Sequence, residues 1–231
     1  MFDSYCGLKC AECDYKEKHG CKGCIASEGK PFWSSAGGEC EVAQCAIAKD
    51  VRFCGECLDF PCKILNKYAF DKEQGDNGAR IEHCKTLVAE MAKKARVGLN
   101  PRSVCGLHCD YCPYTERCGG CRSGYNWCSY ATANQEKVCP NVKCAQEKDL
   151  EGCYLCNELE DCEKGFYSVE KFAKACAIFI KKYGEEKFGQ TFDRAMEIGG
   201  KEFEAFGDNE AGSVSDKVKL LEKFMLPACT N

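Results

Sequence analysis

Cys6-Gly-Leu-Lys-Cys10-Ala-Glu-Cys13, followed after seven residues by Cys21-Lys-Gly-Cys24, places five thiols within nineteen residues. A Cys-x-x-Cys turn sets two sulfurs on one side of a tight loop, where a single soft cation can take both. Nearly the same arrangement returns at Cys105, Cys109, Cys112, Cys118 and Cys121. The chain therefore reads as two copies of a metal-binding module with helices around them.

The correspondence extends well beyond these turns. Cys6, Cys10 and Cys13 match Cys105, Cys109 and Cys112 at an offset of 99, and Cys21 and Cys24 match Cys118 and Cys121 at 97. Cys40, Cys45, Cys54 and Cys57 match Cys139, Cys144, Cys153 and Cys156 at 99, and Cys62 matches Cys162 at 100. Between them, Gly7-Leu8 answers Gly106-Leu107, Tyr15 answers Tyr114, and Ala46, Lys49 and Asp50 answer Ala145, Lys148 and Asp149. Four cysteines lack a counterpart: Cys84, Cys128, Cys176 and Cys229. Cys84 and Cys176 fall on apolar helix faces, where a free cysteine behaves as a small hydrophobe. Cys128 reads as a loop thiol and Cys229 as idle. His19, His83 and His108 do not recur between copies, so the repeated sites are expected to be all sulfur and the histidines to be surface residues.

With 24 cysteines in 231 residues, the choice lies between a disulfide scaffold and metal sites, and compartment decides it. The opening Met-Phe-Asp-Ser-Tyr-Cys has no basic n-region and no apolar h-region, and no run approaches a membrane span. The expected location is the cytoplasm, where thiols stay reduced and available to metal. The formal charge of −4 treats thiols as neutral. Sixteen thiolates on four divalent ions would bring it to about −12. That balance argues against general nucleic-acid binding, and Lys16, Lys18, Lys22 and Lys30 read as a solvated surface.

Residues 1–60 show no sustained helical or strand period, as expected of a fold nucleated by metal rather than by a core. A helix is expected from Pro61 to about Phe70 with Asp59 as its cap, and a second capped by Asn77 with Ile81, Cys84, Leu87, Val88 and Met91 on one face. In the second copy Ser168 is placed to cap a helix striped by Phe172, Cys176, Phe179, Ile180 and Tyr183. Further helices are expected around Phe188–Met196 and Asp216–Met225. The fold class is thus small, metal-stabilised and mostly α, with irregular cysteine-knuckle loops. It comprises a module at 1–100, a second at 101–184 and a helical C-terminal extension at 185–231.

Each copy offers a front cluster (Cys6, Cys10, Cys13, Cys21, Cys24; Cys105, Cys109, Cys112, Cys118, Cys121) and a rear cluster (Cys40, Cys45, Cys54, Cys57, Cys62; Cys139, Cys144, Cys153, Cys156, Cys162). A tetrahedral zinc ion takes four thiolates, so about four zinc sites are expected, with one thiol left over from each cluster. Iron–sulfur clusters also accept four thiolates and are the alternative cofactor. The Cys-x3-Cys-x2-Cys spacing with Gly37-Gly38-Glu39 superficially matches radical S-adenosylmethionine enzymes. The alternating strands and helices of their barrel are absent, however, and the spacing occurs twice.

Cys-Gly-Leu-x-Cys-x-x-Cys at 6–13, Cys-x-Gly-Cys at 21–24, Cys-x4-Cys-Ala at 40–46 and Cys-Gly-Glu-Cys-Leu-Asp-Phe-Pro-Cys at 54–62 together resemble a cysteine-rich prokaryotic family, domain of unknown function 3795. The resemblance covers residues 1–70 and 101–165. Copy two departs from it, with Glu160-Asp161-Cys162 in place of Phe60-Pro61-Cys62. The family implies a small cytoplasmic metal-binding module and brings no activity with it. Three functions follow: a structural zinc protein that displays a surface to another protein, an iron–sulfur redox partner, or a metal- or thiol-dependent enzyme. The first needs only stable sites. The last finds no catalytic constellation in the sequence.

Overall fold

Helix forms earlier than the hydrophobic pattern suggests. In the computed structural model, which describes residues 3–32, 38–112, 115, 118–123, 128–204 and 206–226, two helices fall within the first 60 residues. They are α1 (Asp14–Lys18) and α2 (Glu41–Ala48), followed by α3 (Lys63–Ala69) and α4 (Ala79–Arg96). The helix α2 was hidden because eight residues show too little of a 3.6-residue period, although Val42, Ala43 and Ala46 bury one side of it. Farther on come α5 (Ser129–Ala133), α6 (Pro140–Glu147), α7 (Lys171–Tyr183), α8 (Glu185–Ile198), α9 (Gly200–Glu204) and α10 (Val214–Lys223). Among the described residues there is no strand, only an isolated bridge between Arg102 and His108. The protein is mostly helical. Gly37, Tyr114 and Cys229, singled out in the sequence, lie outside the described residues.

The chain divides into two units, Met1–Lys94 and Ala95–Asn231. In the first, the buried set is small: Val42, Ala43, Ala46, Phe53, Leu65, Ala69, Ile81, Cys84, Leu87, Val88 and Ala92. Met91 of the expected stripe is only half-buried. The second unit holds one continuous core in which α7 packs against α8 and α10, so the helices that follow Gly184 build that core. Its rings run in a chain: Phe179 lies 5.9 Å from Phe188, Phe188 5.2 Å from Phe192, Phe192 5.4 Å from Phe203, and Phe203 5.7 Å from Phe224. Cys84 and Cys176 are fully buried, as small hydrophobes should be.

Three caps differ from expectation. Cys62, not Asp59, caps α3, its sulfur accepting from the Leu65 amide at 3.5 Å. The first turn of α4 is held by Asp76, which accepts from the Arg80 amide at 3.2 Å, while Asn77 takes a left-handed turn at φ 52°. Ser168 ends a short 3₁₀ turn, and the open amide of Lys171 at the start of α7 is met by Asn209 at 2.9 Å, 38 residues away. Asp76 adjoins the expected Asn77 and Cys62 lies three residues beyond Asp59, and nearby side chains compete for such amides. The third is a tertiary contact that no local pattern reveals.

Candidate metal centres

Four of the six Cys-x-x-Cys pairs share one local geometry. Cys10–Glu12, Cys54–Glu56, Cys109–Tyr111 and Cys153–Leu155 are single 3₁₀ turns. Each is closed by the amide of the second cysteine donating to the carbonyl of the first, at 3.2, 3.0, 3.2 and 3.0 Å respectively. Three residues per turn bring the two side chains round to the same side.

The glycine of each Cys-Gly-Leu has a steric reason. Gly7 and Gly106 adopt φ 81° and 89°, and a Cβ at Gly7 would sit 2.4 Å from the Arg80 carbonyl oxygen and from the Cys84 sulfur. At Gly106 it would lie 2.9 Å from the Cα of Ala177. The glycine lets each thiol loop press onto the helix behind it.

Backbone bonds then join front to rear within each unit. The amide of Cys54 donates to the Tyr5 carbonyl at 2.7 Å, and that of Cys153 to the Val104 carbonyl at 2.8 Å. The Tyr5 amide donates to the Cys24 sulfur at 3.4 Å.

The repeated Lys-Asp pair also finds its cause. Asp50 and Asp149 sit at φ 53° and 54°, ending α2 and α6. The amides of Val51 and Leu150 reach back to the carbonyls of Ala46 and Ala145 at 3.1 and 2.9 Å, the Schellman closure of a helix. Lys49 and Lys148 are therefore fixed at the helix ends, beside the rear thiols.

In the second unit the cysteines line two different spaces. Cys105, Cys109, Cys112, Cys118, Cys121, Cys128 and Cys139 surround a cavity of about 50 Å³ closed by Val104, Leu107, Tyr130 and Phe166. Cys144, Cys153, Cys156 and Cys162 surround a basin of about 290 Å³ rimmed by Lys148, Glu158, Asp161, Glu163 and Lys164. Grouping by sequence placed Cys139 with the rear thiols, but the fold gives it to the front.

It also recruits Cys128, which the sequence left as a loop thiol. Cys128 is buried and in hydrogen-bond contact with both Cys118 and Cys139. Asn141 lines both spaces: its carboxamide oxygen accepts from the Phe166 amide at 2.6 Å, and its nitrogen faces the Cys153 sulfur at 3.9 Å. Its counterpart at an offset of 99 is Val42, so no repeat signal marked it.

In the first unit Cys10 lies beside Cys6, Cys13 and Cys21, and Cys24 beside Cys6, Cys10 and Cys40. Cys45 lies beside Cys62 and Cys57, and Cys54 beside Cys84, Cys6, Cys62 and Cys57. Cys6 thus borders both groups.

Every described cysteine is a free thiol. Burial, reinforced by neighbouring charges that include other thiols, pushes Cys10 up to about 11, and burial pushes Cys24 up to about 12. Burial likewise raises Cys109 to about 11 and holds Cys121 well above the ordinary thiol range. In the absence of an ion these groups keep their protons at neutral pH. Among the described residues no three or more Cys, His, Asp and Glu side chains stand ready-arranged to grip an ion.

The histidines divide. His19 is exposed and stacks on Phe32 at 4.9 Å, as a surface residue can. His83 and His108 are half-buried instead, with His83 Nδ1 2.7 Å from the Gly7 carbonyl oxygen. Lys16, Lys18, Lys22 and Lys30 are exposed.

Fold and site together define a mostly helical, cysteine-rich protein. Residues 2–67 match the sequence model of the family described as Protein of unknown function (DUF3795). No curated protein and no solved structure matches the chain. No described helix is long and apolar enough to cross a membrane.

Proposed function

We propose that the protein binds metal through cysteine thiolates alone, in two duplicated modules, and that its ions hold in shape a surface offered to another protein. Zinc is the proposed ion, with a front and a rear site in each unit and about four ions in all. The observation that carries this reading is the sorting of free thiols in the second unit into two separate spaces without disulfides. The donor set fits: it is all sulfur, it surpasses the four thiolates a tetrahedral ion needs at the front, and it meets that number at the rear. An ion binds by drawing the thiols together and displacing their protons, as metal-nucleated modules do. Duplication is supported by the paired 3₁₀ turns, the paired glycines at positive φ and the identical closure of α2 and α6. A reducing compartment such as the cytoplasm suits thiols kept in this form.

An iron–sulfur redox protein is the second reading, favoured by lysine ammonium groups that approach rear sulfurs. Hydrogen bonds to sulfur are one of the means by which proteins set cluster potentials. Metal analysis and visible absorption of protein purified without oxygen decide between the two. About four zinc ions per chain and no colour is the expected result. Brown protein containing iron and sulfide, bleached by dithionite, moves the assignment to the redox reading. A fully folded chain that holds no metal overturns both.

A further inference from the structure

The two thiol spaces of the second unit differ in more than membership. The front cavity is small and walled by apolar side chains, with Cys105, Cys128 and Cys139 buried. The rear basin is several times larger, and only Cys153 at its floor is buried. Its rim is charged and exposed: Lys148, Glu158, Asp161, Glu163 and Lys164. Two of those charges touch sulfur. Lys148 Nζ lies 3.5 Å from Cys156 Sγ and 2.7 Å from Glu158, and Lys164 Nζ lies 3.7 Å from Cys144 Sγ.

The first unit holds the same device. Lys49 pairs with Asp59 and lies beside Cys57 and Cys45, at the positions that answer Lys148, Glu158, Cys156 and Cys144.

Resting on the metal-binding reading above, we propose that the rear basin formed by Cys144, Cys153, Cys156 and Cys162 is an open site that takes and releases a soft metal cation, while the front cavity holds its ion permanently. An ion held among buried thiols leaves only after the surrounding structure opens, whereas one held by thiols near the surface is reached directly from solvent. Four thiolates around a divalent ion leave two negative charges, which the ammonium groups of Lys148 and Lys164 offset by bonding directly to sulfur. Glu158, Asp161 and Glu163 give the approach a negative field that draws cations in from solution. Lys148 and Lys164 are positioning residues: at 3.5 and 3.7 Å from the sulfurs of Cys156 and Cys144 they orient those side chains at the basin without binding the ion themselves.

The test uses the full-length chain loaded with zinc under reducing, anaerobic conditions, with release to a chromophoric chelator followed in time. Two kinetic phases are expected, the ions of the more exposed rear thiols leaving ahead of those among the buried front thiols. The Cys144→Ser/Cys162→Ser variant should lose one ion from the fast phase and keep the slow one. The Lys148→Met/Lys164→Met variant leaves all four thiols in place, so it reports on the site without removing a ligand. It should weaken the fast-phase ion by about tenfold or more, the usual effect of losing groups that orient a metal's ligands. Circular dichroism of both variants should match the parent chain. A single release phase, a fast phase whose amplitude is unchanged by loss of Cys144 and Cys162, or a lysine variant with unchanged affinity would overturn this inference while leaving the metal-binding reading intact. A chain that takes up no zinc overturns that reading itself.

Discussion

The two units carry matching thiol scaffolds on unequal supports. In the first, the buried apolar set is mostly aliphatic and small, and Phe53 alone brings an aromatic ring to it among the described residues. In the second, Phe166, Phe172, Phe179, Phe188, Phe192, Phe203, Phe206 and Phe224 are all buried in one core. Burying a large aromatic side chain contributes a few kcal/mol, whereas alanine contributes little. On the proposed metal-binding reading, a scaffold of turns and short helices without such a core would depend on ions for folding energy, and one built on such a core would depend on them less. The helices α8 to α10 would thus change what a metal is needed for.

Chelation under reducing conditions is the strongest way to break this comparison. Metal removal should unfold the first unit and leave the helices of 171–224 largely protected, as read by hydrogen exchange resolved along the sequence. Equal loss or equal retention of protection in the two units would sink the idea.

Next in size is the aromatic core itself. Phe188 is fully buried between Phe179 and Phe192, with the Arg102 guanidinium 4.3 Å from its ring centre. Phe188→Ala should destabilise the second unit by about 3–5 kcal/mol in chemical denaturation, the usual cost of such a cavity. The first unit's exchange pattern should be unchanged, and a change there would show that its support is not its own.

The smallest effect sharpens the picture at one helix end. Ser213 and Asp216 form a reciprocal capping box at the start of α10, with the Asp216 amide 3.2 Å from Ser213 Oγ. An N-cap is worth about 1 kcal/mol. Ser213→Ala should therefore lower the melting temperature of the second unit by a few degrees and raise exchange in the first turn of α10 alone. A large loss would mean that this turn carries more of the core than its exposed position suggests.

Much of this was legible in the residues. The apolar stripes of α4 and α7 mark their buried faces, and Cys84 and Cys176 fall inside as the periodicity required. The Cys-x-x-Cys turns form as their spacing directs. The helix α2 was not legible, being too short to show a period. Nor was the place of Cys128, whose neighbours Cys118 and Cys139 are 10 and 11 residues away along the chain. Asn141 gave no signal because nothing around it in sequence distinguishes it from a polar helix residue.

The sequence by itself determined which local turns form and which helices bury a face. Those features depend on backbone geometry and on periodicity within a few residues. It also carried the correspondence in spacing between the two sets of cysteines. Only the tertiary structure decided how the thiols are shared out: Cys139 and Cys128 to a small front cavity, and Cys144, Cys153, Cys156 and Cys162 to a larger basin edged by lysines. The physical reason is that a site's membership depends on where loops from distant parts of the chain come to rest. That is settled by the helices they pack against, not by the number of residues between two cysteines.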